Sequence, residues 1–182
     1  MPVSFSAMRK KLEQENLCDC LKGHIRYFMT RYHDAHDDAG RAAILFDGEE
    51  IFKTSYFAHY PDYYSRFYEL RKTVPEEELM DALWNKVIAD GCFDLYQFYD
   101  AFHIYDNQSI AESLVSENAL VRLFAYWDKR TGKRRLVQLQ KKMETEPEWL
   151  RMLLGLRLEL EGVIPADDNA AMSHLPKNII SN

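Results

Sequence analysis

The dipeptide Asp47-Gly48 separates two short runs of apolar and charged residues, 41–46 and 49–54. Asp-Gly between such runs is the strongest short-range signal of a β-hairpin, because a type I′ turn requires positive φ at both central residues. The preceding run, 24–33, is also rich in aromatic and β-favouring residues. The sequence therefore predicts a three-stranded antiparallel meander over residues 24–55.

Helical spacing dominates the rest of the chain. We expect an N-terminal helix over 4–22 with a break near Asn16, and a series of short helices after residue 56. Capping boxes are predicted where a Ser or Thr precedes a Glu by three residues, at Thr73 with Glu76 and at Ser109 with Glu112. Asp94 and Pro147 mark two further helix starts.

These elements place the chain in the α+β class, with a small sheet that precedes a bundle of short antiparallel helices. We expect residues 1–55 to form the helix and sheet, and residues 56–163 to form a helical bundle packed on them as one globular unit. Residues 164–182 are polar, contain two prolines, and are predicted to be a C-terminal tail.

Charge is unevenly distributed along the chain. The 23 Lys and Arg against 29 Asp and Glu give a net charge of −6, which argues against a protein that binds nucleic acid through bulk charge. Residues 56–128 hold 5 basic and 13 acidic side chains, whereas 129–163 hold 9 basic and 5 acidic ones. The acidic middle and the basic late segment are therefore expected either to pair with each other or to face different partners.

The sequence also favours a cytoplasmic location. Residues 1–17 have no apolar segment of the kind found in signal peptides, and no apolar run approaches the ~20 residues needed to span a bilayer. The 3 cysteines are an odd number, which suits a reducing compartment better than a disulfide framework. We expect no membrane association.

The segment 31–38 is a candidate metal site. Imidazole and carboxylate groups both bind divalent ions, and the segment combines two histidines with three aspartates. The alternative is a solvated hairpin loop in which Asp and His are ordinary turn residues. The candidate ligands are His33, Asp34, His36, Asp37 and Asp38.

Cys18 and Cys20 flank Asp19 in the predicted N-terminal helix. Residues two apart on a helix point about 200° from each other, so the two thiols are not expected to bind one ion together. The sequence indicates buried or half-buried thiols without a joint role.

Basic residues cluster around Gly132, which is predicted to open a helix. Free amide groups at a helix start, together with positive charge, favour an anion, a nucleic-acid backbone or an acidic protein surface. The alternative is an exposed helix junction whose charges form salt bridges within the protein. The candidate anion- or partner-binding residues are Arg31, Lys129, Arg130, Lys133, Arg134 and Arg135.

Aromatic residues are dense over 56–68. Four tyrosines within one helix cannot all point into a core, so some are expected at the surface, where tyrosine is enriched in protein interfaces. Core packing with the hydroxyl groups at the surface is the alternative. The candidate interface residues are Tyr60, Tyr63, Tyr64 and Tyr68.

The stretch LKGHIRYFMTRYHDAHDDAGRAAILFDGEEIF at 21–52, followed by DKRTGKRRL at 128–136 and WLRMLLGLRLELEG at 149–162, resembles a family of small uncharacterised bacterial proteins. Members share a helix, a hairpin that carries an Arg-Tyr pair, and a late Gly-Lys-Arg turn. The resemblance implies a bacterial, cytoplasmic protein and brings no catalytic residue with it.

The sequence contains no recognisable catalytic motif, so we expect no catalytic residues and no cofactor. The leading hypothesis is a non-enzymatic protein-binding module, acting on another protein in the manner of an immunity protein or antitoxin. The alternative is a binder or enzyme for an anionic or phosphorylated small molecule that uses the basic turn 129–135.

Overall fold

The computed structural model describes residues 3–30, 40–55 and 60–163. Over these residues the α+β prediction is confirmed. A three-stranded sheet in the order β1-β2-β3 follows one helix along the chain and precedes the other helices. The strands are β1 (Ile25–Met29), β2 (Arg41–Phe46) and β3 (Glu49–Ser55). Strand β1 lies within the predicted run 24–33, of which residues 31–33 are outside the described part of the chain.

The turn between β2 and β3 confirms the hairpin prediction. Asp47 has φ of 51° and Gly48 has φ of 88°, so both central residues adopt the left-handed conformation that a type I′ turn requires. His24 Nδ1 lies 2.6 Å from Asp47 Oδ1, and the Asp47 N–H donates to His24 O at 2.9 Å. These contacts hold the turn against the start of β1.

The described helices begin and end largely where the sequence chemistry places them. Helix α4 starts at a capping box of Asp94 with Gln97, and α5 starts at the predicted box of Ser109 with Glu112. Pro147 is the N-cap of α8, as expected. Their bounds are α1 (Phe5–Lys10), α2 (Tyr60–Leu70), α3 (Glu76–Ala89), α4 (Leu95–Asp106), α5 (Ile110–Ser113), α6 (Ala119–Trp127), α7 (Lys133–Gln140) and α8 (Glu148–Leu160).

Two helix predictions are wrong. The N-cap of α3 is Pro75 rather than Thr73, whose hydroxyl donates to Leu70 O at 3.4 Å and so caps the end of α2 instead. For the N-terminal helix the predicted break near Asn16 is confirmed, since α1 passes into a π-helical turn at Lys11–Glu15 and ends there, but the continuation to residue 22 is wrong. Residues after Asn16 pair with a distant segment, which removes them from the helix.

The chain divides into two compact units. Of the described residues, unit 1 comprises 3–27, 44–52 and 123–163, and unit 2 comprises 28–30, 40–43, 53–55 and 60–122. Among the described residues, the buried apolar side chains of unit 1 come from residues 8–27, from β2, from the end of α6, from residues 136–143 and from α8. In unit 2, helix α2 packs on α3, where Tyr63, Phe67 and Leu70 cover a cluster of Leu83, Val87 and Cys92.

No helix that the structure describes is both long and apolar enough to cross a bilayer.

Candidate functional site

Several segments of unit 1 form hydrogen bonds with the C-terminal end of α6. The last carbonyl groups of an α-helix have no partner within the helix and need donors from elsewhere. Here the Thr131 hydroxyl donates to Ala125 O at 2.7 Å, and the Cys18 N–H donates to Trp127 O at 2.9 Å. A backbone bridge between Leu17 and Asp128 continues this pairing. The segment that contains Cys18 and Cys20 is thus fixed to the end of α6.

Arg157, on α8, supplies the remaining donors. Its side chain is 2% exposed, and its guanidinium donates to Tyr126 O at 3.0 Å, to Thr131 O at 3.0 Å and to Asp128 O at 3.4 Å. The same group forms an ion pair with Glu161, one turn later, at 3.1 Å between Nη2 and Oε1. A single buried cation therefore links α8 to the loop that follows α6.

Glu161 in turn brings the thiols of the N-terminal segment into one cluster. Cys18 Sγ and Cys20 Sγ are 3.4 Å apart, and Cys20 Sγ donates to Glu161 Oε1 at 3.4 Å. One ligand atom from each of the three residues lies within 4.8 Å of the others. The prediction that the two thiols point apart is wrong, because Leu17 to Lys22 form a bridge and turns rather than a helix. We call Cys18, Cys20 and Glu161 the thiol cluster.

The two thiols have different acidities. The hydrogen bond from Cys20 lowers the pKa of Cys18, and the charge of Arg157 and the backbone N–H of Leu21 lower it further, while burial raises it. The pKa of Cys20 is raised, first by its hydrogen bond to Cys18 and then by burial and by the nearby negative charge. Cys18 is therefore the more acidic thiol of the cluster, and Cys20 is the one that retains its proton.

The structure assigns part of the predicted basic turn to internal contacts. Arg130 forms a bidentate pair with the buried carboxylate of Asp128, through Nη2 to Oδ2 at 2.6 Å and Nε to Oδ1 at 3.0 Å, and Lys129 Nζ donates to Glu15 O at 2.5 Å. Arg135 donates to Arg130 O at 3.1 Å, and Lys133 Nζ is 4.0 Å from Glu161 Oε2. Lys133, Arg134 and Arg135 are exposed on the first turn of α7.

The predicted interface tyrosines divide between core and surface. Tyr63 packs on the α3 cluster and lies 5.6 Å from the ring of Trp84, centroid to centroid. Tyr64 is 47% exposed and Tyr68 is 59% exposed. The side chain of Tyr60 lies outside what the structure describes, although its backbone begins α2. Two of the four tyrosines therefore form an exposed pair, four residues apart on one face of α2.

The remaining candidates lie outside the described residues. These are Arg31 and the five predicted metal ligands His33, Asp34, His36, Asp37 and Asp38. The metal hypothesis for this loop remains a prediction.

A family model matches residues 4–158, which include both segments that meet at the end of α6. The chain belongs to the SF0329 protein family. No curated protein and no solved structure matches the chain. The quoted segments at 21–52 and 128–136 lie wholly inside the matched range, and Glu161 lies just beyond it.

In this member of the SF0329 protein family, sequence reasoning did not identify Arg157 or Glu161. A signal for both was present, because Arg157 stands among leucines on every face of α8, and such an arginine needs buried acceptors. Glu161 follows at the i+4 position, where a carboxylate can pair with it. The approach of Cys18 and Cys20 had no such signal, since it depends on pairing with residue 128.

Proposed function

We propose that the protein is a non-enzymatic, cytoplasmic binding protein that recognises a basic protein partner through unit 2, in the manner of an immunity protein or antitoxin. The observation that carries this proposal is the exposed pair Tyr64 and Tyr68 on α2. Tyrosine provides a large contact area at a low cost in side-chain entropy, and it is enriched among residues that dominate binding energy.

The surface near this pair is held rigid by the packing of α2 on α3. Arg66 Nε pairs with Asp90 Oδ2 at 2.9 Å, which ties α2 to the end of α3. Neighbouring side chains Tyr63 and Phe67 are packed on the α3 cluster. An anchored helix loses little conformational freedom on binding, which favours affinity.

Charge indicates the kind of partner. Helix α3 opens with the exposed carboxylates Glu76, Glu77 and Glu78, and residues 56–128 hold 5 basic against 13 acidic side chains. An acidic surface accelerates association with a basic one and disfavours acidic partners. The proposed partner is therefore a basic protein.

The double substitution Tyr64→Ser/Tyr68→Ser is expected to weaken partner binding by roughly one to two orders of magnitude, because two interface tyrosines each contribute on the order of 1 kcal/mol or more. The full chain is immobilised, the partner it captures from its host lysate is purified, and the affinities of the two forms are measured by calorimetry. Binding should also weaken as salt is raised.

Tyr96→Ser is the matched control, because Tyr96 is 48% exposed on α4 of the same unit. This variant should retain the wild-type affinity. Equal binding by the double variant and the wild type, or a partner that is itself acidic, would contradict the proposal.

A second candidate is binding of a small phosphorylated ligand at the start of α7. The observation that favours it is the set of exposed side chains Lys133, Arg134 and Arg135 on the first turn, where the N-cap Gly132 provides no side-chain cap. The N–H groups of a helix start and these charges both attract anions. Four basic residues of the turn already have contacts within the protein, which leaves Arg134 as the most informative position; the four are Lys129, Arg130, Lys133 and Arg135.

For this candidate, pyrophosphate at about 100 times its Kd is expected to stabilise the protein by about 2.7 kcal/mol, or roughly 5–10 °C in Tm. Arg134→Ala should remove most of the shift measured by differential scanning fluorimetry. Lys141→Ala, which removes an exposed charge just after α7, should leave the shift unchanged. An unshifted wild type would exclude this second function.

A further inference from the structure

We propose that the thiol cluster is a binding site for a thiophilic divalent cation of the zinc class, with Cys18, Cys20 and Glu161 as its ligands. This inference does not rest on the proposed function, because it concerns unit 1 and not the tyrosine pair of unit 2. Two cysteines and a carboxylate are ligand types that zinc accepts in proteins.

The spacing of the ligand atoms suits a tetrahedral ion. Cys18 Sγ lies 3.4 Å from Cys20 Sγ, which lies 3.4 Å from Glu161 Oε1. With metal–sulfur bonds of about 2.3 Å and metal–oxygen bonds of about 2.0–2.2 Å, neighbouring ligand atoms are separated by roughly 3.6–3.8 Å. These two pairs need to spread by a few tenths of an ångström to admit the ion, the third pair lies within 4.8 Å, and water supplies the fourth position.

A dication offsets the negative charge of the three ligands when both thiols are deprotonated. Two thiolates and the Glu161 carboxylate carry three negative charges, whereas the Arg157 guanidinium lies 3.1 Å and the Lys133 ammonium 4.0 Å from the carboxylate rather than from the sulfurs. A divalent ion bound between the three ligand atoms places two positive charges next to the thiolates.

The ligands are positioned by groups that are already fixed. The Cys18 N–H is bonded to Trp127 O at 2.9 Å, and Arg157 orients the Glu161 carboxylate at 3.1 Å while it bonds three backbone carbonyls. Such supporting contacts are what orient the ligands of a metal site. Arg157 is thus a positioning residue for Glu161.

The carboxylate distinguishes this site from a redox dithiol. In a pair of cysteines that cycles between thiol and disulfide, a carboxylate 3.4 Å from one sulfur disfavours the thiolate at that sulfur through its negative charge. A cation uses all three groups. The bound ion would join the turn at Cys18–Cys20 to the residue that follows α8.

The test is a titration of the reduced, full-length protein with Zn²⁺ in competition with a chromophoric chelator, repeated with Co²⁺ to detect thiolate-to-metal charge transfer. We expect one ion per chain. Cys20→Ser should reduce the charge-transfer band, since only the Cys18 thiolate remains, and both Cys20→Ser and Glu161→Gln should weaken affinity on the order of tenfold to a hundredfold or more. Circular dichroism verifies that each variant is folded. If Cys20→Ser does not fold, the affinity of Glu161→Gln decides the outcome.

Cys92→Ala is the control, because Cys92 is a buried cysteine in the α3 cluster of unit 2. It should bind the ion as tightly as the wild type. The proposal is overturned by a reduced wild type that takes up no ion, by equal affinities in wild type and Glu161→Gln, or by a Cys92→Ala variant that loses the ion.

Discussion

Replacing Arg157 with methionine is expected to lower the free energy of unfolding by about 3–5 kcal/mol, the range found when one partner of a buried ion pair is removed. Methionine fills much of the volume of the arginine stem, so the loss arises from the missing guanidinium. The carbonyls of Tyr126, Asp128 and Thr131 would lose the guanidinium donor, and the part-buried Glu161 carboxylate would lose its buried ion-pair partner and keep only the exposed Lys133 at 4.0 Å. Each buried acceptor left without a partner costs about 1–3 kcal/mol.

Urea denaturation followed by circular dichroism measures this loss. Arg151→Met is the matched control on the same helix, since Arg151 is only half-buried, and it should change stability by no more than about 0.5 kcal/mol. Arg157→Lys keeps the charge but not the planar set of donors, so it should recover only part of the loss. A change below about 1 kcal/mol for Arg157→Met would show that water replaces the guanidinium at these carbonyls.

Trp127→Ala is expected to cost about 3–5 kcal/mol, because it creates a cavity in the core of unit 1. The indole is 1% exposed, its Nε1 donates to Leu153 O at 3.0 Å, and its ring lies 6.3 Å from the ring of Tyr27. The side chain therefore joins the end of α6 to α8 and to β1 by packing and by a buried hydrogen bond.

Trp127→Phe should cost less than the alanine variant, since it retains most of the packing and loses only the N–H donor. The difference between the two variants separates the cavity from the hydrogen bond. Equilibrium unfolding in urea, read by circular dichroism, gives both values. Equal stabilities of Trp127→Ala and wild type would mean that the surrounding core collapses into the space.

Local chemistry accounts for what the sequence could predict of this fold. The Asp47-Gly48 turn and the Ser109–Glu112 capping box each depend on residues within four positions of one another, so their pattern is readable without knowledge of the rest. The Thr73 prediction failed for a related reason. A Thr three residues before a Glu fits the start of one helix, but Thr73 satisfies a carbonyl at the end of the helix before it.

The candidate sites were less predictable because they depend on pairing between distant segments. Extension of the N-terminal helix to residue 22 was reasonable from its composition, yet Leu17 pairs with Asp128 and Cys18 pairs with Trp127. That pairing turns the two thiols toward each other and toward Glu161. The exposed tyrosines were easier to anticipate, since the periodicity of a single helix decides that Tyr64 and Tyr68 share a face.

The composition of unit 1 from the two ends of the sequence has a consequence for synthesis on the ribosome. Residues 1–27 emerge early, but the groups that cover Leu17 and Cys18 belong to residues 127–161 and emerge late. Chains are made at about 5–20 residues per second, so the N-terminal segment must wait for several seconds with its apolar side chains exposed. Unit 2 consists mostly of the continuous stretch 53–122 and can therefore fold first. The N-terminal segment, although synthesised first, completes its folding last.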